Sequence, residues 1–160
     1  MIGIDWGVAA VAGGLALMCA VAGGMLTRLG PWYETLRKPS FQPPDWLFGP
    51  AWTVIFTVTA IAGYMAWQAA SSDQQATVLA LFVFNAAVNA AWSGFFFTLQ
   101  RPDWALIEVA VLWLSIVALI VYIWPISTMA AFLLAPYFLW VTFASILNLA
   151  VVRLNRPFGG

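Results

Sequence analysis

The chain has 160 residues, 64% hydrophobic and 8% charged, with a formal net charge of zero. A water-soluble domain of this length cannot bury so much apolar surface, so the composition points to an integral membrane protein built as one compact helical domain. Zero net charge argues against a nucleic-acid partner, and the absence of histidine removes the usual zinc ligand, proximal haem ligand and acid–base catalyst.

The N-terminal MIGIDWG carries Asp5 and neither Lys nor Arg, so the first apolar stretch reads as a retained span, not a secretory signal. Four more such stretches follow, and the spans are placed at about 6–27, 47–69, 76–99, 104–124 and 127–151, each long enough to cross roughly 30 Å of hydrocarbon. The expected fold is all-α: a single bundle of five transmembrane helices over 1–160. After the second span the connections ASSDQQ, QRPD and WPIS are short, which makes sequential helices antiparallel neighbours. Arg28, Arg37, Lys38, Arg101, Arg153 and Arg156 all fall on one side, so the positive-inside rule gives an N-out, C-in protein of a bacterial cell membrane. There is no internal repeat of the kind that builds common secondary transporters.

The first span holds the only cysteine, Cys19, which excludes an intrachain disulfide. Its small residues Ala12, Ala16, Ala20 and Gly24 recur every fourth position, a face suited either to close helix contact within the bundle or to a homodimer. Ala86, Ala90 and Gly94 form a similar stripe on the third span.

The connection 28–46 is the long one. Its stretch KPSFQPPDWLFGPAW, running into the second span, contains four prolines, more stiffness than a plain loop requires. It reads as a rigid lid, with Trp32, Tyr33, Phe41 and Trp46 as its apolar underside. Below it, Trp52 and Phe56 lie one turn apart on the second span. On the third, Asn85, Asn89, Trp92 and Phe96 share a face. Amides in hydrocarbon face a bundle interior: for Asn85 the reading is interhelical glue, and for Asn89 a pocket wall, each with the other role open.

On the fourth span Glu108 is placed about one turn from the helix start, where the dipole favours a carboxylate and water is near. The fifth places Pro136, Trp140, Ala144 and Asn148 on one stripe, with Pro136 expected to kink the helix. Trp92, Trp113 and Trp140 lie too deep for an interfacial belt, so each indole N–H needs an acceptor or a cavity. Trp52, Asn89, Trp92 and Trp140 fall in the same half of the membrane, directly beneath the lid. Together these positions describe an aromatic cavity with a few polar groups. No nucleophile–base pair, metal cluster or phosphate loop accompanies it, so neither a metal nor a resident cofactor is expected.

The pattern WYETLRKPSFQPPDWLFGPAW, then NAAWSGFFF, then PYFLWVTFASILN resembles the tryptophan-rich sensory protein/translocator protein (TspO) family over nearly the whole chain. The resemblance implies a five-helix bundle, often homodimeric, that binds porphyrins and haem under its first loop. It also implies benzodiazepine-type ligands and cholesterol for the mitochondrial members. Family ligand-contacting positions match Trp32, Tyr33, Trp52, Asn89, Trp92 and Trp140, and its structural prolines match Pro43, Pro44 and Pro136. Phe41 stands where many members have Trp. The Tyr-plus-base pattern associated with sterol is absent from NLAVVRLNRP, which counts against a sterol ligand.

The leading functional expectation is a membrane protein that binds tetrapyrroles such as protoporphyrin or haem, for sensing, transport or homeostasis. The disc would stack on indoles, and its carboxylates would meet Arg37, Lys38 or Asn89. The alternatives are a light-dependent porphyrin-degrading enzyme, with Trp52 and Trp140 as electron donors, and a translocator of porphyrin or lipid.

Overall fold

The computed structural model describes residues 5–158, and among these every regular element is helical. Residues 1–4 and 159–160, the ends of the expected 1–160 domain, lie outside the described residues. The first helix, α1 (Trp6–Leu26), starts where the Asp5 carboxylate accepts from the N–H groups of Gly7 and Val8, two donors that the helix leaves orphaned. The lid follows, with one short helix, α2 (Pro31–Thr35), and a 3₁₀ turn (Asp45–Leu47) that runs into α3 (Phe48–Ala69). Then come α4 (Ser72–Ser93), α5 (Pro102–Ile123), α6 (Thr128–Leu133) and α7 (Ala135–Asn155).

Five helical stretches are long and apolar enough to cross a membrane, the fifth being α6 and α7 together. Helix α5 starts two residues before its expected 104, and three larger differences from the sequence-based spans follow. Helix α4 begins at Ser72 and not near 76, because Ser71 and Gln74 form a reciprocal capping box inside what reads as a loop. Helix α7 runs on to Asn155, so the fifth span ends four residues beyond its expected end at 151. Pro136 does more than kink the fifth span: the helix is interrupted at Leu134, the single residue between α6 and α7, and the proline stands in the first turn of the new helix.

Helix α1 leans on α3 and α4, α5 bridges α4 and α7, and α6 closes the ring against α3. The end remote from the lid is the more closely packed. There Ala62, Ala66, Ala130 and Ala131 let the backbones approach, and Leu119, Ile123 and Leu134 fill the remainder. A second cluster, Ile55, Leu112, Ile116, Tyr137 and Val141, plugs the middle. Nearer the lid α3 and α7 scarcely meet, and the bundle opens.

Candidate functional site: a cavity beneath the first loop

The opening is a cavity of about 640 Å³, within the roughly 300–1,000 Å³ of small-molecule sites. Its shape follows from what each helix offers. Helix α1 presents Cys19, Ala20, Gly23 and Gly24, side chains too small to reach across. The small-residue face therefore looks inward, and near the lid it makes room where the sequence suggested close contact. Helix α3 contributes Trp52 and Phe56, stacked with centroids 5.1 Å apart. Helix α7 contributes Trp140 and Ala144, and the Trp140 ring meets Trp52 edge-on at 6.4 Å. From α4 come Asn89 and Trp92.

Just beyond Trp92, α4 loosens into a π-helical turn (Gly94–Thr98). Within this wider turn two consecutive rings, Phe96 and Phe97, lie along the same wall. Phe96 stacks on Trp92 at 5.0 Å.

Most of the polar groups among these rings are accounted for. The Trp92 indole donates to Asn148 Oδ1 at 3.2 Å, and Asn148 Nδ2 donates to the Pro102 carbonyl at 2.8 Å. Deeper, Asn89 Nδ2 donates to the Tyr137 hydroxyl (2.9 Å), which donates to Asn85 Oδ1 (3.1 Å). Asn85 Nδ2 in turn donates to Ser115 Oγ (2.8 Å). Asn85 is thus interhelical glue, and Asn89 is both glue and cavity wall. Trp113 finds the Thr142 hydroxyl at 2.9 Å. Trp140 is the exception: its indole nitrogen is buried with no partner.

The lid is fastened twice. At its roof over the cavity, the Tyr33 hydroxyl donates to Asp45 Oδ1 at 2.8 Å, and Gln42 Nε2 donates to both residues. Lys38 Nζ sits 3.7 Å from Asp45 Oδ2 and 3.7 Å over the Tyr33 ring. Burial, reinforced by the hydrogen bond and charge of Asp45, pushes the Tyr33 phenol well above its ordinary value. At the lid's other margin, the Asn155 side chain accepts from Arg37 N–H (2.8 Å) and donates to the Arg37 carbonyl (2.9 Å). It pairs with that backbone as a neighbouring strand would.

Seven of the expected ligand-contacting residues, Tyr33, Trp52, Phe56, Asn89, Trp92, Trp140 and Ala144, therefore line one cavity. Trp32, Phe41 and Trp46 are placed elsewhere. Trp32 packs edge-on against Phe96 from behind, Phe41 meets Phe143 and is 49% exposed, and Trp46 is 71% exposed. Lys38 faces the cavity, whereas Arg37 is held at the lid's margin by Asn155. Gln42, Asp45, Phe97 and Asn155 complete the site and were not singled out from the sequence. The QPPD run is the one signal that could have suggested the first two. Glu108 departs from its expected setting near water: it lies two turns into α5, and both carboxylate oxygens are buried without a partner. Among the described residues no three Cys, Asp or Glu side chains gather as a metal site would require.

A family model, the TspO/MBR family, matches residues 10–154. Protein CrtK of Rhodobacter capsulatus is 36% identical over 142 residues, covering 88% of this chain and 89% of that protein. The tryptophan-rich protein TspO of Chlorobaculum tepidum is 38% identical over 146 residues, with 89% and 92% covered. The human translocator protein is 33% identical over 131 residues, with 81% and 78% covered.

Proposed function

The chain belongs to the TspO/MBR family and is an integral, multi-pass membrane protein, and on that premise we propose that it binds a tetrapyrrole in the cavity beneath the lid. One observation carries the reading: indoles from α3, α4 and α7 wall a single cavity of about 640 Å³ whose roof holds a lysine, a glutamine and an aspartate. A porphyrin is a flat apolar disc with carboxylates along one edge. Trp52 and Trp140 offer ring surfaces to its faces, and Lys38 and Gln42 lie at the polar rim where the carboxylates would emerge. Lys38 would then exchange Asp45 for the ligand. The role in the cell is sensing, transport or homeostasis of the porphyrin, with the lid end facing the cytoplasm.

Iron is not needed for this recognition. Of the side chains able to ligate haem, Tyr33 and Cys19 reach the cavity wall, and both are engaged: Tyr33 with Asp45, Cys19 with the Ala86 carbonyl at 3.4 Å. Haem and metal-free protoporphyrin should therefore bind with comparable affinity. A second reading, photo-oxidative degradation of the bound porphyrin, is favoured by the adjacent Trp52 and Trp140 rings, which could reduce an excited ligand. Irradiating the complex distinguishes it, since a defined product lost in Trp52→Phe or Trp140→Phe marks chemistry and unselective bleaching marks binding alone.

The test of binding is quenching of tryptophan fluorescence on titrating protoporphyrin into the purified protein. Saturable quenching at micromolar ligand, weakened in the Trp52→Phe/Trp140→Phe variant, supports the assignment. A linear, non-saturating response means partitioning into detergent and removes it.

A further inference from the structure

The wide cavity is roofed by the lid and open at one side. Besides the rings already described, its wall includes Ala20 and Gly24 on α1 and Gly49 and Thr53 on α3. All four are exposed. Residues advance by about 100° around a helix, so Ala20 and Gly24 stand about 100° and 140° round from the buried Cys19. Gly49 and Thr53 stand about 120° and 160° round from the buried Ile55. Positions so far round lie on the flank or the outside of a bundle, and a cavity that they line reaches its surface.

The two pairs border one gap. At the far end of the bundle the Tyr64 hydroxyl accepts from the Asp5 N–H at 3.1 Å, which pins the antiparallel α1 and α3 together. Ala20 follows Asp5 by as many residues as Gly49 precedes Tyr64, about 22 Å along each helix, so the two come level. A Cβ at Gly24 or Gly49 would meet no atom within 4 Å. Val21 and Met25 on α1 and Val54 on α3, beside the gap, are exposed and apolar, so it faces hydrocarbon. The Thr53 hydroxyl is satisfied on the Gly49 carbonyl at 2.9 Å and asks nothing of water there. Gly49 is the second residue of α3, which sets the gap at the boundary between acyl chains and headgroups.

Two ways into the cavity therefore compete. Raising the lid breaks the hydrogen bonds of Tyr33 with Asp45 and of Arg37 with Asn155. The Asp5–Tyr64 bond is the one hydrogen bond between α1 and α3 among the described residues, and it lies at the other end. Of the 21 residues of α1 only Cys19 is buried, and a helix end held by so little packing moves outward at small cost. We propose that the cavity is loaded and emptied sideways, from the lid-side leaflet of the bilayer between α1 and α3, while the lid stays shut. The identity of the passenger rests on the tetrapyrrole reading; the route rests on the gap. A flat disc with carboxylates on one edge dissolves in a leaflet with its ring among the acyl chains and its carboxylates at the headgroups. It then enters edge-on between side chains no larger than threonine, and its carboxylates arrive on the side of Lys38 and Gln42.

The experiment mixes protoporphyrin with the full chain in lipid nanodiscs and follows tryptophan quenching by stopped flow, with empty vesicles as the trap that times departure. Gly49→Leu and Ala20→Leu thicken opposite lips of the gap. Each should slow arrival and departure alike, by about fivefold or more, and move Kd far less than either rate, because a gate acts on both directions equally. Asn155→Ala, which frees the lid margin, should hasten departure and leave arrival within about twofold. Two lip variants on different helices keep the test sound if one misfolds. Three results would overturn the proposal: unslowed rates in a folded lip variant, affinity lost with arrival unchanged, or arrival quickened in Asn155→Ala, the mark of passage through the lid. A wild type without saturable quenching removes the passenger and the proposal with it. Saturable binding with unslowed lip variants removes the route alone.

Discussion

Tyr137→Phe removes one oxygen atom from the middle of the bundle and leaves the ring in place. Tyr137 is 1% exposed, and its hydroxyl joins Asn89 on one side to Asn85 on the other, at 2.9 and 3.1 Å. Without it, two side-chain hydrogen bonds vanish together. Interhelical hydrogen bonds within membranes average about 0.6 kcal/mol, so the pair sums to about 1.2 kcal/mol as a lower figure. The groups left behind raise it. Asn89 borders the wide cavity and can recover a water, but the Asn85 oxygen, on a residue 3% exposed, is stranded at a cost of about 1–3 kcal/mol. The expected destabilisation is therefore about 2–4 kcal/mol, measured by steric trapping or by reversible unfolding in mixed micelles. The phenyl ring still meets Trp52 edge-on, at the same 6.2 Å, so protoporphyrin affinity should stay within about twofold. A stability change under about 0.5 kcal/mol would refute the reasoning, because it would mean that the two amides find equivalent partners in the unfolded membrane-embedded chain. A double-mutant cycle with Asn85→Leu then separates the link to Asn85 from that to Asn89.

Asn155→Ala should free the lid margin at Arg37: amide exchange across 36–46 should accelerate at least tenfold, and a bound porphyrin should leave faster with little change in its rate of arrival. Gly24 has open space where a Cβ would stand, so Gly24→Phe should fold normally and lower porphyrin affinity at least tenfold by filling the cavity, as read by the quenching titration. The Tyr33 phenol is held neutral by burial and by Asp45. Its folded-state value lies above the unfolded one, so its stabilising contribution is fully present below the ordinary tyrosine range and is lost only as pH rises through the raised value. Lid closure should thus be flat from about pH 6 to pH 9 as far as this group is concerned, and the late-titrating part of the alkaline tyrosinate absorbance should shrink by one phenol in Tyr33→Phe.

The spans were legible because hydrocarbon thickness imposes one length on every crossing helix, and the inward faces because a polar group in lipid has few other places to go. That logic placed Trp52, Asn89, Trp92 and Trp140 around one space. It failed where the backbone is not periodic. Phe97 joins Phe96 at the wall within a π turn, where the register that steps of 3.6 residues assume is shifted. Trp32, Phe41 and Trp46 sit in a loop whose side-chain directions follow its own turns, so aromatic character alone could not say which of them look down. Glu108 was misplaced because its distance from the helix start was counted from a boundary two residues late. The pairing of Asn155 with Arg37 spans 118 residues and leaves no local trace.

That pairing also bears on how the protein is made. The lid is synthesised second, directly after α1, yet the residue that fastens its margin is the last of α7. Chains emerge from the N-terminus onward and their segments assemble in that order. The lid thus passes through most of its synthesis with a free margin, which is fastened only when the final helix has been delivered into the bilayer. A nascent chain halted before Asn155 would carry every indole of the site and the roof contacts of Tyr33 and Asp45, but not the fastening at the margin.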